Sequence, residues 1–142
     1  MVLQDEIYRR DQPLDLPKKD LKQHRHKGKT VLLVEDNLVV QIIHEGMLTK
    51  LGCQVEIAST AEDALALVEN TYDLILLDIG LPGMSGVEAA SRFRAHPKHK
   101  HTPIIAVTTD REQCYVDGRL HFEFAEIIQK PVGIEKFKEL ID

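Results

Sequence analysis

The chain has 142 residues and a net charge of -5, enough for one domain with a sizeable core and a short appendage, and too few for an added catalytic or DNA-binding module. The acidic balance leaves no footprint for general nucleic-acid binding. No apolar run approaches the ~20 residues of a membrane-spanning helix, and the N-terminus lacks the apolar core of a signal peptide, so the expected location is cytoplasmic, whether as a free protein or as the cytosolic part of a membrane-bound parent.

Residues 1–28 carry Asp, Gln, Lys and Arg with little periodicity, and Pro13 and Pro17 interrupt any long helix. This stretch reads as a linker or N-terminal arm, basic toward its end, with the folded domain spanning residues 29–142. From Thr30 onward strand and helix patterns alternate, which is the pattern of a parallel sheet covered by helices on both faces. Thr30-Val31-Leu32-Leu33-Val34 is the first strand. Asn37 is a good cap for the first helix, which is expected to bury Val40, Ile43, Met47 and Leu51 and to stop at Gly52. A short second strand covers Gln54 to Ala58, and Thr60 with Asp63 forms a partial capping box before Ala64, Leu65 and Val68. The third strand runs from Asp73 to Leu77, Gly86 opens a third helix containing Ala90 and Phe93, and Pro103 enters a fourth strand. A weakly patterned fourth helix is expected between Asp110 and Leu120, then a strand around Ile127-Ile128, then a last helix from Gly133 with Ile134, Phe137 and Ile141 on one side. Five strand-helix units fit this length.

The chemistry gathers at strand ends. The first apolar run stops on Glu35-Asp36, the third on Asp78 followed by Ile79-Gly80-Leu81-Pro82, the fourth on Thr108, and the last leads into Lys130-Pro131. Open parallel sheets bind ligands outside the carboxyl ends of their strands, so residues ending separate strands converge on one site. Taken singly, Asp36 or Thr108 reads as a helix cap, Asp78 as a turn residue and Lys130 as a surface charge. Taken together, the three carboxylates, a hydroxyl and an ammonium suit a divalent cation and a phosphoryl group. A carboxylate attacks phosphorus when the charges it meets are neutralised. Mg2+ suits that task because it prefers hard oxygen ligands and bridges carboxylates to phosphate. Its expected ligands are Asp36, Asp78, Glu35 through a water, and the Gly80 carbonyl. Asp78 is the expected nucleophile, while Lys130 and Thr108 reach the phosphoryl oxygens.

These residues, in this order and at these separations, resemble the receiver domain of two-component response regulators and hybrid sensor histidine kinases. The resemblance runs from about Lys29 to the end and rests on Glu35-Asp36, Asp78 within D-I-G-L-P-G-M-S-G, Thr108, and Lys130-Pro131. It implies a flavodoxin-like, doubly wound α/β fold, a five-stranded parallel sheet in the order 2-1-3-4-5 with five surrounding helices, which is the family's own illustration of this strand order. It also implies phosphoryl transfer from the phosphohistidine of a histidine kinase or histidine phosphotransfer domain to Asp78, slow self-catalysed hydrolysis, and a cis bond before Pro131. The output is a change in partner binding or onward transfer, and the parent is expected to be a hybrid kinase. Ile127 stands where the family usually carries Tyr or Phe, with Phe122 and Phe124 close by in sequence.

Other readings fit less well. A dehalogenase-type phosphatase needs a second acid two residues after its nucleophile, where this chain has Gly80, and no P-loop or G-x-G-x-x-G follows the first strand. A receiver-shaped interaction module that never carries phosphate is the remaining alternative. His96, His99 and His101 read as a polar loop rather than a metal site, and Cys53 and Cys114 as reduced, partly buried thiols.

Overall fold

A computed structural model describes residues 28–117, 119–120 and 123–142. The expected arm over residues 1–28, apart from Gly28, and Phe122 lie outside the described residues. Five parallel strands form the sheet: β1 (Thr30–Val34), β2 (Gln54–Ala58), β3 (Leu74–Asp78), β4 (Ile104–Thr108) and, after an intervening hairpin, β7 (Glu126–Gln129). Their order is β2-β1-β3-β4-β7, the expected 2-1-3-4-5. Register places Val34 beside Leu77, Asp78 beside Val107, and Thr108 beside Gln129, so the ends of β1, β3, β4 and β7 lie along one edge.

Because side chains alternate across a strand, the apolar runs feed two cores. Leu32, Val34, Ile75, Leu77, Ile104, Ala106 and Ile127 share one core with Ala61 and Ala64 of α2 (Ala61–Leu65) and Ala89, Ala90 and Phe93 of α3 (Gly86–Ala95). Val31, Leu33, Leu76, Ile105, Val107 and Ile128 face the other way. They meet Leu48 of α1 (Leu38–Lys50) and Phe137 and Ile141 of α4 (Ile134–Ile141). Gly86 is required where α3 begins, since a Cβ there would lie 2.5 Å from Ile79 Cδ1 and 3.0 Å from Ile79 Cα. That close approach seats α3 against the segment carrying Asp78.

Two expectations are corrected. The buried residues of α1 are Gln41, His44 and Leu48, while Ile43 is exposed and Met47 and Leu51 are partly buried. Apolar residues surround the first turns of this helix, so periodicity alone does not choose its inner face. The fourth helix is absent: Arg111–Cys114 is a 3-10 turn, followed by an antiparallel hairpin of β5 (Tyr115–Val116) and β6 (Arg119–Leu120). Four α-helices therefore surround the sheet among the described residues, not five. Tyr115 and Val116 favour strand, and Asp117, at φ 52°, stands before Gly118 in the Asp-Gly pair typical of tight hairpin turns.

The histidine-rich loop before β4 is partly a core element. His99 is fully buried, stacked on Tyr72 at 5.9 Å and edge-on to Phe93 at 5.6 Å. Its Nε2 donates to the Val68 carbonyl at 2.9 Å and its Nδ1 lies 3.1 Å from Thr102 Oγ1. Burial holds the His99 pKa below its ordinary 6.5, and burial followed by the Lys130 charge does the same for His44. Both rings are neutral in the fold while the unfolded chain protonates them near pH 6.5. Their contribution to stability is full above that pH and falls as the pH drops through the window below it, by at most ~1.4 kcal/mol per pH unit for each histidine. Urea unfolding between pH 8 and pH 5 should show the decline, and His99→Gln should make it shallower.

Candidate functional site

The residues that end β1, β3 and β7 converge. Glu35, Asp36 and Asp78 each offer a carboxylate oxygen, all within 4.8 Å of one another, with Glu35 and Asp78 buried and Asp36 exposed at the rim. Lys130, next after β7, reaches across β4 to place Nζ 2.7 Å from Glu35 Oε1 and 3.3 Å from Asp78 Oδ2. The Lys130-Pro131 bond is cis, as the family resemblance implies. Backbone groups hold the other carboxylate oxygens: the Asn37 N–H donates to Glu35 Oε2 at 3.2 Å, and the Gly80 N–H donates to Asp78 Oδ1 at 2.9 Å.

Electrostatics follow from that arrangement. Burial pushes the Glu35 carboxyl up, against the opposing hydrogen bonds from Lys130 and Asn37. For Lys130, burial opposes the charge, but the Glu35 hydrogen bond and the Asp78 and Glu35 charges outweigh it and raise the ammonium.

Thr108 is placed differently. It is buried at the end of β4, and its hydroxyl donates to the Asp110 carbonyl at 3.2 Å and accepts from the Asp110 N–H at 3.0 Å. Its own carbonyl accepts from the Lys130 N–H at 2.9 Å, so its backbone is tied to the segment carrying the lysine. Ile127 is buried beside Ala106, and Phe124 is buried just before β7 in the same core. The strand position is aliphatic, and no aromatic ring takes it over within β7. Thr109 is exposed and lines a cavity of about 240 Å³ with Val40, Ile43, His44, Lys130, Pro131 and Val132.

Comparison with known proteins agrees with this geometry. The model of the response regulator receiver domain family matches residues 31–142. The chain belongs to that family. It is 38% identical over 103 residues to the transcription factor SKN7 of Candida albicans, covering 71% of this chain and 18% of that protein. It is 31% identical over 116 residues to the aerobic respiration control sensor protein ArcB of Escherichia coli, covering 78% of this chain and 14% of that protein. The chain thus spans less than a fifth of either relative. Among solved structures it is similar to the receiver domain of a sensor histidine kinase from Pseudomonas aeruginosa, which holds a magnesium ion in its active-site cleft. That likeness has a TM-score of 0.72, 32% identity, and coverage of 80% of this chain and 94% of that one.

The acidic trio of this receiver domain is all oxygen, as Mg2+ requires, and one member is open to solvent. Glu35, Asp36 and Asp78 are thus able to hold a divalent cation, which would neutralise carboxylates that otherwise repel. His96, His99 and His101 do not form a cluster of three metal-capable groups among the described residues.

Sequence reasoning passed over two participants, the Asn37 backbone N–H and Gln41, whose side-chain amide reaches the Glu35 carbonyl. For Gln41 a signal existed: it is the polar break in the apolar run Leu38-Val39-Val40-Gln41-Ile42-Ile43.

Lys130 is the countercharge for the trio. Lys130→Met should lower the stability of the metal-free protein by about 2 kcal/mol, less than for a fully enclosed ion pair because Glu35 can take up a proton. Mg2+ at 100 times its Kd should stabilise the wild type by ~2.7 kcal/mol and should offset much of the variant's loss. Thermal or urea unfolding with and without Mg2+ reads both effects.

Proposed function

We propose that this domain accepts a phosphoryl group from a phosphohistidine onto Asp78 and passes on the signal as changed partner binding or onward transfer, within a phosphorelay. The observation that carries the reading is the joint placement of Asp78, Glu35, Asp36 and Lys130 at one sheet edge. In this reading Asp78 Oδ2 attacks phosphorus, a P–O bond forms, and the P–N bond to the donor imidazole breaks. The bonding pair leaves with the nitrogen, which is then protonated. Asp78 Oδ1, already held by the Gly80 N–H, orients the carboxylate. The Lys130 ammonium follows the charge from the carboxylate to the phosphoryl oxygens. The Thr108 hydroxyl turns from Asp110 to meet a phosphoryl oxygen. Asp36, Asp78, the Gly80 carbonyl and Glu35 would hold Mg2+, which would supply Lewis-acid stabilisation of the transferring group.

The donor is a histidine kinase or a histidine phosphotransfer domain, and α1 is where it docks. Leu38, Val39 and Ile42 are 68%, 64% and 68% exposed on this helix, which starts two residues after Asp36 at the rim of the site. An apolar surface beside a charged cleft fits a protein partner that must bring its histidine to Asp78. Occurrence in a hybrid kinase is supported by the likeness to ArcB and to the receiver of the Pseudomonas sensor kinase. A second reading, a receiver-shaped interaction module without phosphate, draws its support from Ile127 and from the Thr108 hydroxyl being engaged by Asp110.

Intact mass after incubation with acetyl phosphate and Mg2+ tests the proposal. One phosphoryl adduct is expected, lost on Asp78→Ala and on removal of metal. Absence of an adduct both here and with phosphorylated histidine proteins would establish the second reading. For the docking face, Ile42→Glu should slow transfer from a phosphohistidine protein by ~10-fold or more, equivalent to at least ~1.4 kcal/mol of lost binding. Labelling by acetyl phosphate should stay at the wild-type rate.

A further inference from the structure

The β1-β2 ladder stops at the point where the site begins. The Glu35 N–H still donates to the Ala58 carbonyl at 3.0 Å, but beyond Ala58 the second strand leaves the sheet and Thr60 becomes the cap of α2, accepting from the Asp63 N–H at 2.9 Å. The carbonyl of Glu35 is therefore beyond the reach of strand pairing, although the residue is buried and the next one, Asp36, carries the solvent-facing carboxylate. Gln41 takes over. From the inner face of α1 its Nε2 donates to the Glu35 carbonyl at 2.5 Å and to Ser59 Oγ at 3.0 Å, using both N–H groups of the amide.

A buried amide is a costly choice for a helix position unless its hydrogen bonds achieve something that Leu or Met cannot. Here they join the turn after β1 to the turn after β2. The Asn37 N–H holds the Glu35 side chain from the outer side, so that residue is gripped at both its carboxylate and its carbonyl.

We infer that Gln41 is a positioning residue for the metal-binding carboxylates, holding the Glu35-Asp36 turn in the geometry that a cation requires by bridging it to Ser59. This rests on the reading of the acidic trio as an Mg2+ site. Groups that orient metal ligands without touching the metal commonly contribute ~10-fold or more to affinity.

Isothermal titration of Mg2+ into the full chain tests the inference, with the acetyl phosphate adduct followed as a function of Mg2+. Gln41→Leu, which keeps the volume, should raise the Mg2+ Kd by ~10-fold, whereas the adduct rate at saturating Mg2+ should stay within about twofold of wild type. Ser59→Ala removes one of the two anchors and should raise Kd by a smaller factor. Thr102→Val, which deletes a buried hydroxyl near the opposite edge of the sheet, should lower stability and leave Kd unchanged. If Gln41→Leu fails to fold, Ser59→Ala decides. A Kd for these variants equal to wild type, or an equal rise for Thr102→Val, would overturn the positioning role. A wild type that binds no Mg2+ would instead bring down the metal reading, and the inference with it.

Discussion

Everything at the working edge of this domain depends on bringing like charges together and keeping them there. Glu35, Asp36 and Asp78 place carboxylate oxygens within 4.8 Å of one another, two of them in buried residues, an arrangement that opposes folding by repulsion and by lost hydration. Lys130 opposes it most directly, with one ammonium against two of the three acids. Such a pairing does not have to add stability over an apolar core. Its value lies in holding the carboxylates in place, which a bound cation needs.

The sheet makes that pairing possible. Parallel register puts the ends of β1, β3 and β7 on one edge, with β4 between the last two, so the lysine crosses one strand to reach Asp78 and meets the Glu35 side chain beyond it. Cores on both faces hold this register, since a slip by one residue would turn each strand's inward set to the wrong side. The close seat of α3 on Ile79 at Gly86 and the Gly80 N–H on Asp78 then leave that carboxylate little freedom. Packing energy, supplied by residues such as Leu76, Ile105 and Phe93, thus sustains a polar edge that could not hold itself.

The strands and their ends were legible because a doubly covered parallel strand is an apolar run that ends abruptly, and a charged residue at such an end is conspicuous. Glu35, Asp36, Asp78 and Lys130 stood out for that reason. What escaped were features set by tertiary contacts. The inner face of α1 carries Gln41 and His44 beside Leu48, while Leu38, Val39 and Ile42 face outward. His99 looked like one of several polar loop histidines, yet Tyr72, Phe93, Val68 and Thr102 form a complete environment for its ring. The segment after β4 carries only a weak helical pattern, the pair Val116 and Leu120, although Tyr115-Val116-Asp117-Gly118 is hairpin chemistry.

The departures from family pattern cluster on one side of the molecule. Where a fourth helix was expected there is a 3-10 turn and a hairpin, and the adjacent strand carries Ile127, buried in the core. Ile127, already in the core beside Ala106, has little to gain by moving. The other flank offers a different set of materials: α1 has large apolar side chains in solvent beside the acidic rim, and Lys130 contributes to both the acidic site and the cavity bounded by Val40 and Val132. Any change at Asp78 that releases Lys130 from Glu35 alters that cavity directly, without passing through the core. Lys130 therefore links Asp78 to the α1 side, where the exposed apolar residues lie and where the donor is proposed to dock.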